Sequence, residues 1–295
     1  MAIYLREGRF RVMTGAVGIV LLAAACGDST PAGTGAAAPA QTHASAPPMS
    51  SEAPAGVLAI GHSGLTGESS DPARIGQDAP ENSWATGTAV EVDSVYQRLV
   101  AARPETEGHV ANFARGGARA FALTGQAASG LDKLPNPALV IVQTIDNDIR
   151  CDGADAAAVP LFGRQLADAL TIITDRAPEA KILIVGQIGR PAIAVKAFAQ
   201  LPAAKAGLTG TGVCDMFDPA GGIAPAKVAA LTDVIQGYEA EQARVCATVP
   251  GCSTDEGVLG SFVDRPEYFA AGHLTTPALA EVAALIWPTV EELLP

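Results

Sequence analysis

The stretch Ala55-Gly56-Val57-Leu58-Ala59-Ile60-Gly61-His62-Ser63-Gly64 holds a short unbroken apolar run that stops at a polar turn flanked by glycines. A run of this length bounded by glycine predicts a buried strand ending in a tight turn. Residues 109–113, 138–142 and 181–185 have the same form, and each is followed by Gly, Asn, Asp or Gln. Between and after them, residues 92–102, 118–131, 159–176, 226–247 and 277–290 carry apolar side chains at helical spacing. Continuous rather than alternating apolar strands separated by helices call for a parallel sheet covered on both faces. The expected fold is a three-layer α/β/α sandwich with a central, mostly parallel sheet. In such sheets, sites form beyond the carboxyl ends of the strands. Here those ends carry Gly61-His62-Ser63-Gly64, residues 112–117 and residues 144–150.

The chain has 295 residues, 48% of them hydrophobic and 17% charged, so it has ample material for a core. Its net charge is −12, and no Lys/Arg-rich run follows the first dozen residues. Nothing offers phosphates the counter-charges that binding a nucleic acid needs, so that role is excluded. The N-terminus reads differently. Arg6, Arg9 and Arg11 precede the apolar residues 16–25, a secretory signal too short to span a bilayer stably. One reading is simple cleavage after Ala25. The other is a bacterial lipoprotein, because Leu22-Ala23-Ala24-Ala25-Cys26 resembles a lipobox, with Ala23 where Leu is usual. Acylation of Cys26 would tether the chain to the outer face of the membrane. Residues 26–54 are rich in Pro, Ala, Ser and Thr and form a linker of roughly 30 Å rms reach. The folded domain is expected over 55–295, with no later membrane span.

With Cys26 set aside, Cys151, Cys214, Cys246 and Cys252 are an even set in an exported chain and allow three pairings. Pro250-Gly251 can turn the chain between Cys246 and Cys252, which favours that local bridge and leaves Cys151 with Cys214. No CxxC, HExxH or Cys/His cluster with zinc spacing occurs, so neither metal nor cofactor is expected.

Ser63 stands at the first strand-to-turn junction, between glycines that permit a sharp bend. The segment lacks the last glycine of a G-x-S-x-G elbow, because Leu65 stands there. It resembles instead the first block of the SGNH (GDSL-type) hydrolases, and three further blocks follow in order. Asn112 to Ala118 resembles the second, Asp146-Asn147-Asp148 the third, and Gly272-His273-Leu274-Thr275 the last. The resemblance spans about residues 55–295. It implies an ester hydrolase with Ser63 as nucleophile and His273 as base. The implied oxyanion hole is the N–H groups of Ser63 and Gly117 (Gly116 as fallback) and the Asn147 amide.

Three departures stand out. The family's Asp before the serine is His62, expected to be structural. The third-block Gly is Ile145. The acid that the family carries three residues before its histidine is replaced by Ala270. Asp264, and after it Glu267, are the upstream carboxylates that could serve instead. Trp84 belongs either at the rim of the cleft or among packed surface aromatics, and Gly189-Arg190-Pro191 is placed to line the pocket. His109 is expected to be structural, and Asp148 with Arg150 either brace Asn147 through a local salt bridge or are plain polar groups of the loop. Two other functions fit the same residues: a non-catalytic binding lipoprotein on a hydrolase scaffold, and an acyltransferase or deacetylase of surface glycans.

Overall fold

The computed structural model describes residues 53–263 and 265–294. The signal peptide, Cys26, most of the linker and Asp264 lie outside the described residues. The elements in chain order are β1 (Val57–Gly61), α1 (Val95–Ala102), β2 (Val110–Asn112), α2 (Leu123–Lys133), β3 (Leu139–Gln143) and α3 (Asp155–Arg176). Then come β4 (Lys181–Val185), α4 (Pro191–Phe198), α5 (Pro202–Leu208), α6 (Pro225–Cys246), β5 (Cys252–Thr254), β6 (Phe269–Ala270), β7 (His273–Leu274) and α7 (Thr276–Leu293).

Five strands form one sheet in the order β2-β1-β3-β4-β5, with every pairing parallel. Because side chains alternate across a strand, the apolar runs feed two cores. Leu58, Ile60, Val140, Val142, Ile182 and Ile184 pack with residues of α2, α3 and α6. Val57, Ala59, Leu139, Ile141, Leu183 and Val185 pack on the other face with α1 and α7. The three layers are those the strand pattern calls for. Helix α3 is long and apolar enough to cross a membrane by length and composition. Phe162, Leu166, Leu170 and Ile173 are nonetheless buried against the sheet, and it serves as a core helix.

Chain order reverses around β1, with β2 on one side and β3 on the other. The turns after β1 and β3 therefore diverge and leave a crevice at the carboxyl edge. Two disulfides brace the loops: Cys246–Cys252 closes the turn from α6 into β5, and Cys151–Cys214 ties the β3–α3 loop to the segment after α5. Loop-closure entropy assigns them about 2 and about 4 kcal/mol.

Candidate active site

Strand β1 ends on Gly61, whose φ is +143°. A Cβ there would lie 1.9 Å from the Gln143 carbonyl oxygen, so only glycine lets β1 run this close to β3. The Gln126 amide clamps the same residue, accepting from the Gly61 N–H at 2.7 Å and donating to its carbonyl at 3.0 Å. The chain then turns into a short 3-10 segment at Ser63–Leu65. Asn112 holds that turn from β2, its amide donating to the Leu65 carbonyl at 2.8 Å.

Ser63 and His273 come from opposite ends of the folded chain. His273 begins β7, in a hairpin where Ala270 of β6 pairs directly with it and Ala271-Gly272 make the turn. Both turn residues have positive φ, +48° and +84°. This presents the His273 ring to the crevice, with Nε2 2.9 Å from Ser63 Oγ. Both residues are buried. With the ring proton on Nδ1, Nε2 accepts from the serine hydroxyl. Nδ1 makes no well-formed hydrogen bond among the described residues, although the backbone of Ala271 is close enough to favour the protonated ring.

Burial pushes the His273 pKa down to about 4, against the opposing effect of the Ala271 backbone. The ring is therefore neutral, as a base must be, through the whole neutral range. Two consequences follow for pH. The acid limb of kcat/KM is expected well below the 6.5 of an ordinary histidine, which a pH–rate profile measures. The folded state also binds fewer protons than the unfolded chain between about 4 and 6.5. Stability is therefore lost as pH falls through that window, by about 3 kcal/mol, readable in urea melts at pH 7 and pH 4.

Of the neighbours of this pair, Glu68 had no local signal in the sequence. His62 turns away from Ser63: its Nδ1 accepts from the Gly64 N–H at 3.0 Å, and its Nε2 lies 2.8 Å from Asp146 Oδ2. The Gln187 amide donates to the other oxygen of Asp146 at 2.6 Å. Burial works against the Asp146 carboxylate, while His62 and Gln187 stabilise its charge. Glu68, five residues past the serine, places Oε2 3.4 Å from His273 Nε2. Burial, and then the nearby Asp78 carboxylate, raises the Glu68 pKa. These groups enclose a cavity of about 30 Å³, walled further by Gln143, Ile188 and Leu279.

The loops that follow β2 and β3 are joined by a single brace. The buried Asp148 carboxylate accepts from the Ala120 N–H at 3.1 Å and from Thr144 Oγ1 at 2.7 Å, holding the Gly117 loop to the end of β3. The Asn147 amide donates to the Ala118 carbonyl at 3.1 Å across the same junction. Ile145 keeps a φ of +107° while fully buried, so a β-branched residue occupies a conformation that favours glycine.

Several expectations need correcting. Trp84 is fully buried in the core under α1 and α7, because the loop carrying it folds inward rather than rimming the cleft. Arg190 is drawn from the cleft by Glu239, which it binds through both carboxylate oxygens at 2.6 and 2.7 Å, and Pro191 opens α4. Arg150 pairs with Asp152, not with Asp148, so the two do not jointly brace Asn147. Glu267 is exposed on a turn and makes no ion pair with His273.

The fold and this pair define a class: α/β proteins with a serine–imidazole pair at the carboxyl edge of a parallel sheet. Among solved structures, the chain is similar to an extracellular lipase from Streptomyces rimosus. The identity is 16%, the TM-score 0.48, and the match covers 81% of this chain and 99% of the lipase. It is similar as well to phospholipase A1 from Streptomyces albidoflavus, at 13% identity and TM-score 0.43, over 81% of this chain and 99% of that one. An acetyl xylan esterase aligns at 12% identity and TM-score 0.45, over 79% of this chain and 98% of that one. No model of a known protein family matches the sequence, and no curated protein does.

Proposed function

We propose that this chain is an exported serine ester hydrolase of the SGNH/GDSL type acting on short acyl esters. The observation that carries the reading is the 2.9 Å contact between Ser63 Oγ and a buried, neutral His273 Nε2. A hydroxyl becomes a nucleophile when a positioned base takes its proton as it attacks. Ser63 Oγ bonds to the acyl carbon, its proton passes to Nε2, and the carbonyl electron pair moves onto oxygen. Collapse of that oxyanion breaks the bond to the alcohol, which leaves with the proton from Nε2. Water repeats the sequence on the acyl-serine, and the acid departs.

The oxyanion donors in this reading are the N–H groups of Ser63 and Gly117 and the second N–H of Asn147, whose first is spent on Ala118. The small cavity beside the pair favours acetyl-sized acyl groups over long chains. Two disulfides fit an oxidising, exported setting, and lipidation at Cys26 would fix the enzyme to the outer membrane face. A fluorophosphonate probe tests the reading. The intact protein is expected to take one adduct, mapped by peptide mass to Ser63 and lost on Ser63→Ala. A wild-type protein that folds and stays unlabelled would mean a binding module instead.

A further inference from the structure

We propose that Glu68 is the counter-ion of the His273 imidazolium, supplying beside Nε2 the negative charge that position 270 lacks. The inference rests on the reading of Ser63 and His273 as nucleophile and base. Four observations meet here. Ala270 lies directly opposite His273 in the hairpin and carries no acid. His273 Nδ1 is buried without a well-formed partner among the described residues. Glu68 Oε2 is 3.4 Å from Nε2, with its side chain 16% exposed. The Glu68 loop is pinned to the start of α7, where the Thr276 hydroxyl donates to the Ser70 carbonyl at 3.1 Å and accepts from Asn82 at 3.2 Å.

When Ser63 gives up its proton, positive charge spreads over the whole imidazole ring. An anion 3.4 Å from one nitrogen then lowers the energy of that charged ring, while a neutral ring gains little from it. The interaction belongs to the transition state more than to the resting enzyme, so it acts on kcat rather than KM. Glu68 supplies charge without fixing the ring tautomer, which stays with the Ala271 backbone. Its contribution is therefore smaller than that of an acid hydrogen-bonded to Nδ1.

The charged and titratable groups around Glu68 are His273, Asp78 in its own loop, and His62 with Asp146 across the cavity. The first two opposing influences, burial and Asp78, raise the Glu68 pKa. The acid limb therefore carries two ionisations, that of His273 and that of Glu68.

The test is a cycle of Glu68→Gln and Ala270→Asp, with kcat and KM measured on p-nitrophenyl acetate. Opposite residues in an antiparallel pair have Cβ atoms about 5 Å apart, so a carboxylate at 270 reaches Nδ1. Glu68→Gln is expected to lower kcat about ten- to a hundredfold with KM unchanged, and to leave a single ionisation in the acid limb. In the Ala270→Asp background the same change is expected to cost less than about threefold, because the imidazolium already has its anion. Glu68→Asp keeps the charge and most of the rate, and thermal melts show whether each variant folds. The proposal fails if Glu68→Gln costs the same factor in both backgrounds. It fails equally if the loss sits in KM or changes with the leaving alcohol, which would make Glu68 a substrate contact. A wild-type enzyme that hydrolyses no ester and takes no fluorophosphonate sinks the hydrolase reading itself, a separate result.

Discussion

Ser63→Ala is expected to lower kcat for p-nitrophenyl acetate by about 10⁴-fold, with a melting temperature close to wild type. The size follows from what the pair does. Full Ser-His-Asp machinery loses about 10⁶ when its serine or histidine is removed, and its acid alone accounts for about 10⁴ of the rate. Among the described residues no acid touches Nδ1, and the charge proposed for Glu68 would make up only part of that deficit. The wild-type rate therefore starts below that of a complete triad, and less remains to be lost. His273→Ala is expected to match Ser63→Ala, and the double variant to lose no more than either, because a nucleophile without its base does the work of neither. Steady-state kinetics on the three variants settle it. A Ser63→Ala enzyme retaining a tenth of the wild-type rate, or losses that multiply in the double variant, would mean that another group attacks the ester.

The parts of the fold legible in the sequence are those in which local pattern and burial coincide. β1, β3 and β4 are unbroken apolar runs because both faces of the sheet are covered, and the interior strands lie between two cores. β5, Cys252–Thr254, escapes the same reading: it is a three-residue edge strand of partly exposed polar residues, held by its pairing with β4 and by the Cys246 bridge. Helix α4 hides behind Gly189-Arg190-Pro191, which reads as a turn although proline at the first helical position starts a helix as readily as it ends one. Trp84 sits in an irregular segment where no periodicity tells inward from outward. In the site, Ser63 and His273 were visible because glycine turns and strand ends mark them. His62, Ala270 and Ile145 were visible only as departures. What meets two of these departures is tertiary: Asp146, held in turn by Gln187, meets His62 from the loop after β3, and Glu68 reaches His273 from a loop with no repeat or motif.

The pairing of His62 with Asp146 can be tested by placing an acid at position 62. His62→Asp is expected to destabilise the protein by about 3–5 kcal/mol at pH 7, a fall of roughly 10 °C in melting temperature. His62 is 1% exposed and its Nε2 lies 2.8 Å from Asp146 Oδ2. A carboxylate in its place would face a second carboxylate in a site without room for much water. Two such groups cannot both stay ionised, so one must take a proton and hold it above its ordinary pKa. A carboxyl group whose folded pKa is raised contributes stability below its unfolded pKa near 4 and loses it as pH rises. The gap to wild type should therefore narrow between pH 7 and pH 4, a trend that chemical denaturation at both values would reveal. Adding Asp146→Asn removes one of the two charges and leaves an amide able to donate to the new carboxylate. The double variant is expected to recover most of the lost stability, the mark of a coupled pair rather than of two independent defects. If His62→Asp melts within about 2 °C of wild type at pH 7, or if Asp146→Asn adds its own loss instead of rescuing, then positions 62 and 146 are not exchanging charge.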